Sequence, residues 1–160
     1  MAKLKIVTVG DDILRKKSRP VTEITPRILQ LLDDMKDTLH AANGCGLAAV
    51  QVGVLRRIVL VETEPGNLIE MINPEIIARE GEQQDLEGCL SVPGKYGVTT
   101  RPMTVTVKAM DRNGDWFVVT GSELAARAFC HELDHLDGVL YIDHAKMLTE
   151  DQLEELYEEE

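Results

Sequence analysis

His131-Glu132-Leu133-Asp134-His135 is the stretch from which the rest of the chain is read. In a helix, positions four apart lie on one face about 6 Å apart along the axis, so both imidazoles can turn toward one metal ion. Glu132 then stands beside the first of them, where a carboxylate can take a proton from metal-activated water. The flanks favour a helix. Ser122 is placed to cap it, Glu123-Leu124-Ala125-Ala126-Arg127-Ala128-Phe129 leads in, and Gly138 stops it. Leu124, Ala128, Leu133 and Leu136 supply an apolar flank, which predicts a buried helix rather than an acidic surface helix with two ordinary histidines.

Upstream, Thr25-Pro26 opens an earlier helix, with Thr25 as cap and Pro26 at the first position. Ile28, Leu29, Leu32, Met35 and Leu39 recur at helical spacing, and Asn43-Gly44 should end it. Between the two helices lie β-type runs at residues 57–61, 68–72, 103–109 and 116–119, the last pair joined by a turn at Asn113-Gly114. A third helical pattern occupies residues 148–160 and is very acidic at its end. Strands flanked by helices, without regular βαβ alternation, predict an α+β fold: mainly antiparallel sheets packed around a central metal-binding helix. No repeat or linker interrupts the pattern, and 160 residues suit one domain spanning 1–160.

Net charge −11, with 28 acidic residues and no clustered Lys/Arg face, argues against direct nucleic-acid binding and reads as solubility. No apolar run approaches the 18 to 20 residues, roughly, that span a bilayer, and Met1-Ala2-Lys3-Leu4-Lys5-Ile6-Val7 lacks the features of a signal peptide. The expectation is a cytoplasmic protein without a membrane partner. Three cysteines fit a disulfide framework poorly, so each is a thiol, a ligand or filler.

A catalytic site built on two histidines needs a third protein donor and one position left to water. Cys130, adjacent to His131, points about 100° away around the helix and reads as core. Gly138 falls where metzincins have glycine, but their third histidine would coincide with Tyr141, and His144 comes three residues late. Glu154 and Glu155 lie in an acidic run that reads as a solvated face. Cys45 and Cys89, each beside glycine, remain, Cys89 within a turn-like segment. Residue chemistry does not choose between them.

Three segments taken together do more. Gly44-Cys45-Gly46-Leu47-Ala48-Ala49-Val50-Gln51, Glu87-Gly88-Cys89-Leu90-Ser91 and the HExxH segment resemble, in order and spacing, the three signature motifs of bacterial peptide deformylases. The similarity extends from Asp12-Ile13-Leu14-Arg15 through Ile72-Asn73-Pro74 and Arg101-Pro102 to the final helix. Val50 stands where many members have proline, and the acidic end gives no support for the ribosomal docking some relatives achieve there.

The resemblance implies Cys89, His131 and His135 as metal ligands and Glu132 as the acid/base residue. Gln51 and the Leu90 N–H would serve the developing oxyanion. Iron(II) would be the physiological ion, with zinc, nickel or cobalt acceptable to the same donors. The partners implied are N-formyl-methionyl peptides and nascent chains, with transient ribosome contact at most. Cys45 and Leu47 would wall the methionine pocket, while backbone around Gly46 and Gly88 would pair with an extended peptide. Two other classes compete: a metallopeptidase acting on ordinary amides, and a structural metal protein, which would need a fourth protein donor.

Overall fold

The computed structural model describes residues 3–158. The first helix, α1 (Pro26–Ala42), begins as its sequence demands: the Thr25 hydroxyl accepts from the Ile28 N–H, and Pro26 occupies the first turn. It ends at Asn43, whose φ of 54° is the left-handed conformation that asparagine tolerates better than most side chains.

Eight strands follow around two further helices. They are β1 (Gly46–Ala48), β2 (Ile58–Val61), β3 (Ile69–Glu80), β4 (Gln83–Cys89), β5 (Val92–Arg101), β6 (Thr104–Met110), β7 (Trp116–Ser122) and β8 (Lys146–Met147). Between β7 and β8 lies α2 (Leu124–Leu136), and α3 (Glu150–Glu158) comes last. All pairings are antiparallel, in a five-stranded sheet ordered β1-β2-β3-β6-β7 and a three-stranded sheet ordered β4-β5-β8. The fold is α+β, as expected.

Strand β2 of the large sheet is buried on both faces. Successive strand residues point to opposite sides, so Ile58 and Leu60 of β2 join Leu32, Met35 and Leu39 of α1, whereas Val59 and Val61 join Phe129, Leu133 and Leu136 of α2. Four consecutive apolar residues are therefore needed there. Each such side chain, fully buried, contributes roughly 1.5–3 kcal/mol. On its other side α2 touches β5 of the small sheet, which places the helix between the two sheets.

Several boundaries differ from the expectations. Ser122 does not cap α2: it belongs to β7, where its hydroxyl pairs with that of Thr104, and Glu123 precedes the helix at φ 58° and ψ −120° without a side-chain cap. The sheet claims Ser122 because β7 runs straight into α2. The junction is tight enough that a Cβ at Gly121 would come within 2.7 Å of both Ala125 and Phe129. Leu124 is largely exposed, while Ala128, Leu133 and Leu136 are buried as the apolar flank requires. Gly138 does stop the helix, at φ 76°, where a side chain would meet the Arg15 backbone.

The run at 68–72 is the start of a longer strand. β3 continues through Asn73-Pro74 because a register shift between Ile72 and Glu75 takes the proline out of the ladder. The Asn73 carboxamide clamps both backbone groups of Val21 at 2.8 Å. The turn-like segment around Cys89 is in fact the end of β4 and its hairpin to β5, with Cys89 opposite Val92. The last helix starts at Glu150, and Glu159 and Glu160 of its expected span lie outside the described residues.

Candidate metal centre

Helix α2 presents His131 and His135 on one face, with ring centroids 5.0 Å apart, toward the end of β4. There the Cys89 Sγ lies 3.4 Å from His135 Nε2. One donor atom from each of Cys89, His131 and His135 falls within 4.8 Å of the others, and no other such His/Cys/Asp/Glu group occurs among the described residues. Cys45 lies nearby but outside this group, Cys130 is buried in the core, and Glu154 and Glu155 are exposed on α3.

The donor set fits a divalent cation. One sulfur and two imidazoles suit zinc or iron(II), and three protein donors leave a position open. Beside them Glu132 is 4% exposed, and its Oε1 has no hydrogen-bond partner among the described residues. Burial lifts its carboxyl to about 7, the range useful for accepting and returning a proton. His135 is driven by burial, and further by His131, down to about 3, which keeps it in the neutral form a metal requires. For His131 burial opposes the proton, but Glu132, Cys89 and Glu87 outweigh it and raise its pKa.

A buried charged cluster orients this set, and the sequence reading missed it. Glu87 accepts from His131 Nδ1 at 2.9 Å, which turns the other ring nitrogen toward the thiol. Arg101 grips Glu87 with two hydrogen bonds of 3.0 Å and donates to Asp134 at 2.7 Å. Thr99 donates to Glu87 as well. Burial alone would push the Glu87 carboxyl up, yet the bonds from His131, Arg101 and Thr99 hold it at about 2. Tyr141, where a metzincin would place its third histidine, stacks on His131 at 5.8 Å and donates to the Lys95 carbonyl.

The remaining candidates separate by position. Gln51 is buried: its Oε1 accepts from the Ala48 N–H at 2.9 Å, and its Nε2 reaches Ser91 Oγ at 3.0 Å and Cys89 Sγ at 3.6 Å. Gly46 abuts the acid, since a Cβ there would sit 2.5 Å from Glu132 Oε2, so β1 can approach only because this residue is glycine. A cavity of about 350 Å³ opens onto Glu132 and Cys89, walled by Cys45, Gly46, Gly88 and Leu90 and, from α2, Leu124 and Ala128. Leu47 is not on that wall. Its side chain is fully buried in the α1-side core, because strand alternation turns it away from the cavity that Gly46 faces.

Comparison with known proteins gives a consistent result. The polypeptide deformylase family profile matches residues 3–151. A peptide deformylase of Acetivibrio thermocellus is 54% identical over 146 residues, covering 91% of this chain and 85% of the relative. One from Lachnoclostridium phytofermentans is 55% identical over 145 residues, covering 89% of each. Among solved structures, the peptide deformylase of Ehrlichia chaffeensis in complex with actinonin superposes with a TM-score of 0.88 at 35% identity, covering 100% of this chain and 99% of that one. That of Legionella pneumophila gives 0.87 at 38% identity, covering 98% and 96%.

Proposed function

This chain belongs to the polypeptide deformylase family, and from that premise we propose that Cys89, His131 and His135 hold the metal, that Glu132 moves the proton, and that Gln51 and the Leu90 N–H receive the oxyanion. The chain is a metal-dependent hydrolase that removes the formyl group from N-formyl-methionyl nascent polypeptides and releases formate. The observation that carries the residue roles is the convergence of one thiol and two imidazoles beside a buried carboxylate whose Oε1 has no hydrogen-bond partner among the described residues.

A divalent cation held by Cys89, His131 and His135 would supply Lewis acidity toward the formyl oxygen and the attacking water. Glu132 accepts a proton from the attacking water at Oε1 and delivers it to the departing amine nitrogen as the carbon–nitrogen bond breaks. Gln51 is held by Ala48 and Ser91, so its carboxamide N–H is fixed before charge develops on the formyl oxygen. The cavity beside β1 takes the methionine side chain, with Cys45 on its wall, and Leu47 contributes backbone rather than side chain. Backbone at Gly46 and Gly88 pairs with the extended substrate.

The physiological ion on this reading is iron(II), which the thiol and imidazoles accept alongside zinc, nickel or cobalt. Residues 1–160 act as one catalytic domain in the cytoplasm, with transient ribosome contact and no nucleic-acid site of its own. Among the described residues no helix is long and apolar enough to cross a membrane.

The test is formate release from a formyl-Met peptide under anaerobic conditions with iron(II). Glu132→Gln should keep its metal and lose roughly 10²- to 10⁴-fold in kcat/KM. Cys89→Ser should lose the metal. A fully active Glu132→Gln removes the proposed base, and a Cys89→Ser protein that binds metal as tightly as the native chain removes the proposed ligand set.

A further inference from the structure

Resting on the deformylase reading, we infer that Tyr141 is a positioning residue for substrate selection. Its hydroxyl pins the segment that carries Tyr96 and so fixes a wall of the cavity assigned to the first side chain. Tyr96 lines that cavity and packs so closely on Gly88 that a Cβ there would come within 2.7 Å of its ring. The cavity keeps one shape only if this ring keeps one place.

The strand ladder does not supply that constraint. Between β4 and β5 the register jumps from Glu87 opposite Gly97 to Cys89 opposite Val92, so Pro93, Gly94, Lys95 and Tyr96 have only Gly88 facing them. On its other side β5 pairs with β8 at Gly97 and Val98, again beyond the bulge. Two bonds from outside the hairpin reach it instead. The Leu148 N–H donates to the Tyr96 carbonyl at 2.9 Å, and the Tyr141 hydroxyl donates to the Lys95 carbonyl at 3.0 Å. They grip the peptide units on either side of the Tyr96 Cα.

Tyr141 can act as an anchor because it is itself immobilised. It is 1% exposed, its ring stacks on His131 at 5.8 Å, and it opens a single 3₁₀ turn, Tyr141–Asp143. Asp143 closes that turn by accepting from the Leu140 N–H, and Arg15 grips the same carboxylate with bonds of 2.6 and 2.9 Å. The ring therefore backs a metal ligand while the hydroxyl holds the cavity wall. Phenylalanine would keep the first contact and lose the second.

The experiment measures formate release by the iron(II) enzyme from formyl-Met-Ala-Ala and formyl-Ala-Ala-Ala amides. Tyr141→Phe should raise KM for the methionine peptide and cut its kcat/KM advantage over the alanine peptide roughly threefold to tenfold, the effect of one hydrogen bond. A side chain long enough to touch the wall loses contact, and a methyl group does not. Loss of folded protein alone would lower both rates equally and leave the ratio in place. In a Tyr96→Ala background the same substitution should leave the ratio where it is. The absorption spectrum of the cobalt(II)-loaded Tyr141→Phe protein should match that of the native chain, because the ring still backs His131. An unchanged ratio, a ratio that falls as far in the Tyr96→Ala background, or a shifted cobalt spectrum overturns the inference. Failure of the native chain to release formate from the methionine peptide sinks the deformylase reading itself, and the inference with it.

Discussion

The two helices packed on the large sheet are built on opposite terms. Against α1 the buried contact is apolar, with Leu32, Met35 and Leu39 fully buried among Ile58, Leu60 and Ile72, and the ion pairs of Asp33 with Arg112 and His40 with Glu62 lie at its edge. Helix α2 has an equally apolar side, but its other side carries His131, Glu132, Asp134 and His135 into a buried cluster with Glu87 and Arg101. Burying charge costs several kcal/mol per ion, and even well-made internal ion pairs rarely gain over apolar packing. The cluster therefore contributes orientation more than stability. It can do so because the apolar side already fixes where α2 lies.

The sharpest way to break this contrast is Arg101→Met. It removes the guanidinium that grips Glu87 and leaves that carboxylate buried with His131 and Thr99. The expected cost is about 3–5 kcal/mol of stability, and metal affinity should fall roughly 10- to 100-fold as His131 loses its orienting partner. Denaturant unfolding and chelator competition measure the two. Unchanged metal affinity would mean that the cluster does not position the ligand.

On the α1 side, Leu32→Ala should cost about 2–5 kcal/mol through lost burial and the cavity left behind. Its folded fraction should keep native kcat/KM and native metal affinity. If affinity fell as far as in Arg101→Met, the two sides would be coupled through the sheet and the contrast would fail.

A smaller effect separates the carboxylates within the polar side. In metal-free protein Glu132 holds its proton to about pH 7 because it is buried, while its ordinary value is 4.5. Between those values the folded state binds more protons than the unfolded state, so stability falls as pH rises. Glu87, held at about 2, works in the other direction: its contribution is present above 4.5 and lost as pH falls toward 2. His135, held at about 3, titrates in the opposite sense below 6.5, but it does so in native protein and in Glu132→Gln alike. Urea unfolding from pH 4.5 to 8 should therefore show apo native protein losing stability relative to apo Glu132→Gln, by on the order of 2 kcal/mol. Parallel profiles for the two proteins would exclude Glu132 as the titrating group.

The apolar side was readable in the sequence and much of the polar side was not. The cap at Thr25, the stop at Asn43 and the spacing of Leu32, Met35 and Leu39 are local signals, and α1 follows from them. The HExxH spacing likewise fixed the two histidines on one helix face. By contrast, Gln83-Gln84-Asp85-Leu86-Glu87-Gly88-Cys89 has no apolar alternation, because its face toward α2 carries Glu87 and Cys89 instead of core residues, so β4 went unrecognised. Arg101 could not be matched to Glu87 without the β4–β5 register. Two hints were present: Glu87 stands two residues from Cys89, and Asp134 lies inside the HExxH segment, but a partner cation 33 residues from Asp134 leaves no local trace.

The junction that feeds α2 gives the smallest and most local test. Glu123 is held at φ 58° and ψ −120°, a conformation in which a side chain is strained and glycine is not. Its position is forced from both sides, since Ser122 is paired in β7 and Gly121 is packed against Phe129. Its carbonyl accepts from Gln83, and its N–H donates to the Met103 carbonyl. Glu123→Gly keeps these backbone bonds and relieves the strain, offset in part by the greater freedom of glycine in the unfolded chain. The net gain should be about 1 kcal/mol, read as a modest rise in Tm with kcat/KM unchanged. A loss of stability would show that Glu123 is held there by side-chain interactions rather than by the geometry of the strand-to-helix turn.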